Sequence, residues 1–212
     1  MATMVDFDTE RFETLRTSFS GELLHSADPG YDARRIHNGL IDRRPALIAR
    51  CLGAVDVADA VRFARDSGLE ICVRGGGHNV AGRAVVDDAL MIDLSLMKGV
   101  HVDPEARTVR AQSGLVWREF NRETAAHGLA VTGGAISTTG IAGLTLGGGL
   151  GWLMAKYGLA ATTCSPYSSS RPTVRSSTSP PTRIQISSGR YRAAEATSAS
   201  RPRSSTGSIP SG

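Results

Sequence analysis

The chain has 212 residues, of which 41% are hydrophobic and 21% charged, with a mean hydropathy of −0.12 and a net charge of +4. That length carries one large or two small domains with a real core, no apolar run approaches the roughly 18 residues of a membrane span, and the start Met1–Asp8 has neither the basic nor the apolar region of a secretory signal. The positive charge does not point to nucleic acid: from Thr162 on, seven arginines face one acid, Glu195, so that segment is +6 and residues 1–161 are −2.

In chain order, Glu10 to Phe19 has the pattern of a short amphipathic helix. Tyr31–Ile36 and Asp42–Cys51 fit a strap leading into a first strand. Val55–Asp66 has apolar residues at helical spacing and Gly68 closes it; Glu70–Val73 is a short strand feeding a glycine turn, and Ala89–Leu94 is another strand. Val100–Asp103 and Thr108–Gln112 flank a turn centred on Pro104, a hairpin pattern. Leu115 to His127 is a helix that Gly128 ends. These small helices and short strands predict an α+β domain.

The text changes near Thr162. Beyond it there is no Leu, Phe, Trp, Lys or Asp, and Ser, Thr, Pro and Arg dominate. Such a composition buries too little apolar surface to offset its ordering entropy, so disorder is expected over 162–212. Two explanations compete: a genuine low-complexity arm, or translation out of frame. Reading Ile184–Tyr191 one base earlier in each codon permits NPDLFWAL, Ala194–Ser211 permits GGGNFGVATSFEYRLHPV, and Thr162–Cys164 permits DNLL. Three segments in register favour the loss of one base near Ala161.

Two glycine-rich stretches carry the chemistry. Arg74-Gly75-Gly76-Gly77-His78-Asn79 is a turn after a strand with an imidazole at its tip, and a second run extends from Gly140 through Gly143, Gly147, Gly148 and Gly149 to Gly151. Backbone free of side chains can press against an extended anion, because glycine permits close approach and successive amides form an anion nest. Taken alone, Gly75–Gly77 also fits an ordinary tight turn, and Gly147–Gly151 also fits close packing of Trp152 and Leu153. The first turn lacks the helix start and ribose-binding acid of a dinucleotide fingerprint, and the Gly-Lys-Ser/Thr of a phosphate loop is missing.

His25, His37, His101 and His127 are scattered without metal spacing, are read as structural or exposed, and no metal is assigned. Cys51, Cys72 and Cys164 form neither a metal motif nor a disulfide framework; the first two read as buried, inert thiols, and a reducing cytoplasm follows as the expected compartment. Asp87, Asp88 and Asp93 read as turn and strand-end residues, and Arg34, Arg35, Arg43 and Arg44 as surface charge.

The segments VRGGGHNVAG (Val73–Gly82), GAISTTGIAGLTLGGGLGW (Gly134–Trp152) and Lys156–Ala161 resemble FAD-dependent oxidoreductases with the vanillyl-alcohol-oxidase, or PCMH-type, flavin fold, in the berberine-bridge-enzyme-like branch. The resemblance covers residues 40–161, an N-terminal portion of the domain preceded by a helical strap segment, 1–39. It implies FAD lying between two subdomains, with Arg74, Gly75, Gly76, Gly77 and Asn79 around the pyrophosphate and His78 joined covalently to the flavin ring methyl. Ser137, Thr138, Gly140, Gly143 and Gly147 would cover the other side. Where some members carry a second tethering cysteine this chain has Ile136, so a single link is implied. Asn79 stands where serine is common.

The implied activity is oxidation of an alcohol or C–H carbon of a small-molecule substrate, with electrons passed to oxygen or another acceptor and no nucleic-acid or membrane partner. The substrate domain and later catalytic residues of such enzymes are not found in the chain as written, so little or no turnover is expected from it. A non-catalytic flavin-domain fragment with a basic tail is the alternative.

Overall fold

The computed structural model describes residues 8–165, 190–192 and 194–195. Helix α1 (Thr9–Ser18) begins where the Asp8 carboxylate accepts the Glu10 and Arg11 N–H groups at 3.0 and 3.3 Å, a cap worth about 1 kcal/mol. Strand β1 (Glu22–Leu24) follows, then a 3-10 turn (Tyr31–Arg34), β2 (Leu47–Arg50), α2 (Ala54–Asp66), β3 (Ile71–Arg74) and β4 (Leu90–Asp93). The strands form one sheet in the order β1-β2-β4-β3, antiparallel at β1/β2 and parallel at the other two pairs.

Leu47, Ile48, Leu90, Met91 and Ile92 are all fully buried, as central strands covered on both faces require. Alternation sends Leu47, Ala49, Leu90 and Ile92 into a core with Leu15 of α1 and Val57, Ala60 and Phe63 of α2. Ile48, Cys72 and Met91 belong to a second cluster with Tyr31, Ile36 and Val85. The N-terminal segment therefore contributes a strand and Leu15 to the same core. Gly68 ends α2 with φ +68°, a conformation that favours glycine.

A second sheet starts with the hairpin β5 (Val100–Asp103) and β6 (Thr108–Ala111). Its turn is closed by Asp103, whose carboxylate accepts the Ala106 N–H at 2.9 Å, and by Arg107 at φ +53°. Helix α3 (Trp117–Ala125) buries Trp117 and Phe120 completely. It is shorter than the sequence suggested, since the Leu115 carbonyl accepts from Ile141 of the second glycine run. Strand β7 (Leu129–Ala130) and the short helices α4 (Ile141–Leu146), α5 (Met154–Tyr157) and α6 (Ala160–Thr163) follow. The sequence reading took the glycine-rich run as loop; α4 forms in it because Ile141 and Thr145 have a buried face to fill.

Within the segment 162–212, for which disorder was expected, three short strands are described: β8 (Cys164–Ser165), β9 (Arg190–Arg192) and β10 (Ala194–Glu195). β9 lies between β6 and β8, and β10 pairs with β7. Apart from Thr162 and Thr163, which end α6, the rest of that segment lies outside the described residues. Among the described residues no helix is long and apolar enough to cross a membrane.

Candidate functional site

The first glycine turn leaves the C-terminal end of β3, whose last residue, Arg74, is anchored. The register sets Asp93 beside both Arg50 and Arg74. Asp93 is fully buried and meets Arg74 Nη1 at 3.1 Å and Arg50 Nε at 3.4 Å, while the Ser95 N–H and hydroxyl donate to it at 2.9 and 3.0 Å. Arg74 is thus committed to holding the strand end. Gly77 turns with φ +69° and its carbonyl accepts the His37 N–H at 3.0 Å. Asn79 closes the next turn, its side-chain oxygen accepting from the Arg83 N–H at 3.0 Å. Arg43 donates to the carbonyls of Gly82 and Val85 at 3.2 and 3.1 Å, which pins this loop and uses a guanidinium read from the sequence as surface charge.

The second run crosses the first at glycine. A methyl group on Gly76 would overlap the backbone nitrogen of Gly140, and one on Gly140 would overlap that of Gly76. Only backbone can make this approach. Around it, the Trp117 and Arg118 N–H groups bond the carbonyls of Thr139 and Ser137 at 3.0 and 2.8 Å, so α3 carries the second loop. Ser137 and Thr138 are exposed.

Between these loops sits the imidazole of His78. Its Nε2 is 3.0 Å from Thr138 Oγ1 and its Nδ1 is 3.5 Å from Thr139 Oγ1. His37 stacks on the ring, centroids 4.0 Å apart and planes 15° from parallel. Burial first, and the charge of His37 second, hold the His78 pKa below that of a free imidazole. A neutral ring has a nitrogen lone pair free to bond carbon or metal. Among the described residues there is no group of three His, Cys, Asp or Glu side chains that could hold a metal.

Among the described residues, the backbone N–H groups of Gly75 to Asn79, and of Ser137 and Thr138, have no acceptor. Unpaired amide donors clustered at a glycine crossing fit an anionic ligand such as a pyrophosphate. The structure brings together Gly75, Gly76, Gly77, His78, Thr138 and Gly140, with Ser137 on the same loop. Gly143 lies on α4 facing open space, and the Gly147 N–H bonds the carbonyls of Gly143 and Leu144. Two further residues meet the His78 ring, His37 by stacking and Thr139 through its hydroxyl; no local signal in the sequence marks either, because both meet it across the fold.

The two cysteines with described side chains are buried, Cys51 in the cluster with Leu47 and Val57 and Cys72 in the one with Ile36 and Val85. Burial pushes the Cys51 thiol up to about 12 and the Cys72 thiol up to about 11.

Residues 45–167 match the FAD binding domain family. The (R)-6-hydroxynicotine oxidase of Paenarthrobacter nicotinovorans is 45% identical over 145 residues, 68% of this chain and 32% of that protein. Berberine bridge enzyme-like 18 of Arabidopsis thaliana is 35% identical over 122 residues, 56% of this chain and 23% of the relative. Among solved structures, 6-hydroxy-D-nicotine oxidase from Arthrobacter nicotinovorans superposes with a TM-score of 0.68 at 44% identity, over 69% of this chain and 33% of that one. The chain thus spans about a third of the length of the first of these relatives. The N-terminal glycine loops, their crossing and the matched residues agree: the chain belongs to the FAD binding domain family of the FAD-linked oxidoreductases, with berberine-bridge-enzyme-like proteins among its relatives.

Proposed function

We propose that this chain holds the pyrophosphate of FAD against the crossing of Gly76 and Gly140, and that His78 is the covalent attachment point of the flavin ring. The observation that carries the reading is the set of N–H groups on Gly75–Asn79 and Ser137–Thr138 with no acceptor among the described residues, on the two loops that flank the His78 imidazole. Arg74 and Asn79 act as supports of the turn, through Asp93 and the Arg83 N–H. Ile136 offers no thiol for a second link.

When bound, FAD supplies a two-electron oxidation; the residues of this chain bind and orient it. The whole protein acts as an FAD-dependent oxidase or dehydrogenase on an alcohol or C–H carbon of a small molecule, with oxygen or another acceptor taking the electrons. One relative is, by name, an oxidase of (R)-6-hydroxynicotine, so a small nitrogen heterocycle is the first substrate class to screen.

The test is chemical. The purified chain is incubated with FAD and precipitated in acid. A yellow pellet in the wild type and a colourless one in His78→Ala supports the attachment. A yellow His78→Ala pellet overturns it.

A further inference from the structure

The imidazole of His78 is held on its edge and on one face by different parts of the fold. Thr138 and Thr139, from the second glycine run, each place a hydroxyl near one ring nitrogen, at 3.0 and 3.5 Å. Those contacts leave the ring free to tilt. The face contact removes that freedom: the His37 ring lies parallel to it within 15° at a centroid distance of 4.0 Å. His37 is itself seated on the same turn. Its N–H donates to the Gly77 carbonyl at 3.0 Å, and its neighbour Ile36 is buried in the cluster with Val85 and Met91. The backbone bond that shapes the turn thus also sets where the His37 ring stands.

We infer that His37 is a positioning residue for His78: its ring, carried by the hydrogen bond to Gly77, fixes the plane in which His78 presents a nitrogen to the flavin ring methyl. This rests on the reading of His78 as the attachment point. The reaction it serves forms a C–N bond between an imidazole nitrogen and the methyl carbon. One hydrogen leaves the nitrogen and one leaves the methyl group; dioxygen is the oxidant and carries both away, with two electrons, as hydrogen peroxide. A nucleophile held in attacking geometry gains rate because its orientation is settled before the step.

The experiment compares the wild type with His37→Leu, which keeps bulk without an aromatic ring, and His37→Phe, which restores a ring. In the flavin-free chain, the ring-proton resonances of His78 are read by NMR at fixed pH. The His37 ring current displaces them in the wild type; His37→Leu moves them toward the free-imidazole position and His37→Phe brings back an aromatic displacement. On addition of FAD in air, acid-stable flavin accumulates about tenfold more slowly in His37→Leu and recovers in His37→Phe, the loss expected when a reactant's orientation is released. Unmoved His78 resonances in His37→Leu overturn the inference. An unchanged attachment rate in a variant whose resonances do move overturns it as well. If the wild type holds no acid-stable flavin while His37→Leu still moves the His78 resonances, the attachment reading fails and the support of the His78 ring by His37 stands.

Discussion

The backbone of Gly76 lies directly against the backbone of Gly140, so close that a methyl group on either would overlap the amide nitrogen of the other. Two loops far apart in the chain share one point, and His78 and Thr138 flank it at 3.0 Å from each other. The crossing is what turns two glycine-rich stretches into a single surface, the one proposed to hold the FAD pyrophosphate.

Substitution at the crossing separates the loops. Gly76→Ala and Gly140→Ala should each cost roughly 1–3 kcal/mol of folding stability, the range for forcing an added methyl group into packed structure. Retention of FAD through gel filtration should be lost in both. Gly143→Ala, at a position facing open space, should leave both properties near wild type. A Gly76→Ala chain that retains FAD as the wild type does would overturn the role given to the crossing.

The Asp93 carboxylate is fully buried and serves Arg50 on one side and Arg74 on the other. Removing it leaves two guanidinium groups without their shared counter-charge at the root of the glycine turn. Asp93→Ala should cost about 3–5 kcal/mol, as removal of one partner of a buried pair does. Urea denaturation followed by circular dichroism measures it; a loss within the scatter of exposed substitutions would show that the network is replaceable.

His78 carries a signed pH dependence. Its folded-state pKa is lowered from 6.5 by burial and by His37, so the unfolded chain binds that proton more tightly. Stability from this group is full above about pH 6.5 and is lost as the pH falls through the lower folded value. The NMR titration of His78 in the flavin-free chain should have its midpoint below 6.5, and His37→Leu should raise it. A wild-type midpoint above 6.5 would reverse the sign.

Cys51 and Cys72 should resist alkylation. With thiols pushed up to about 12 and about 11 and both side chains buried, little thiolate is present at pH 8. Peptide mass spectrometry after a brief native treatment with iodoacetamide should find both unmodified, and both should be modified once urea is added. Rapid native labelling of Cys72 would place it nearer solvent than its packing with Val85 and Met91 allows.

We propose that the reading frame changes near Ala161. Sequencing the gene through those codons is the check. A missing base there, with NPDLFWAL-like text restored downstream, is the expected result; an intact frame makes residues 162–212 a genuine low-complexity arm.

The local elements and the two glycine stretches were legible in the chain itself, because their signals are short-ranged. Helical spacing from Val57 to Phe63, the short strand runs, the hairpin turn at Pro104, Gly68 and Gly128 at helix ends and the Gly-Gly-Gly-His turn each depend on a few neighbouring residues. Gly76 and His78, residues of the proposed site, were legible for the same reason. Tertiary structure alone decided which glycines meet. It paired Gly76 with Gly140, stacked His37 on His78, and set Asp93 between Arg50 and Arg74 through the register of three strands. Those relationships join residues distant along the chain, and their energies come from packing and burial that no local pattern encodes. α4 illustrates the same division: glycine-rich text has low helix propensity, yet a buried face for Ile141 and Thr145 was enough to wind a short helix.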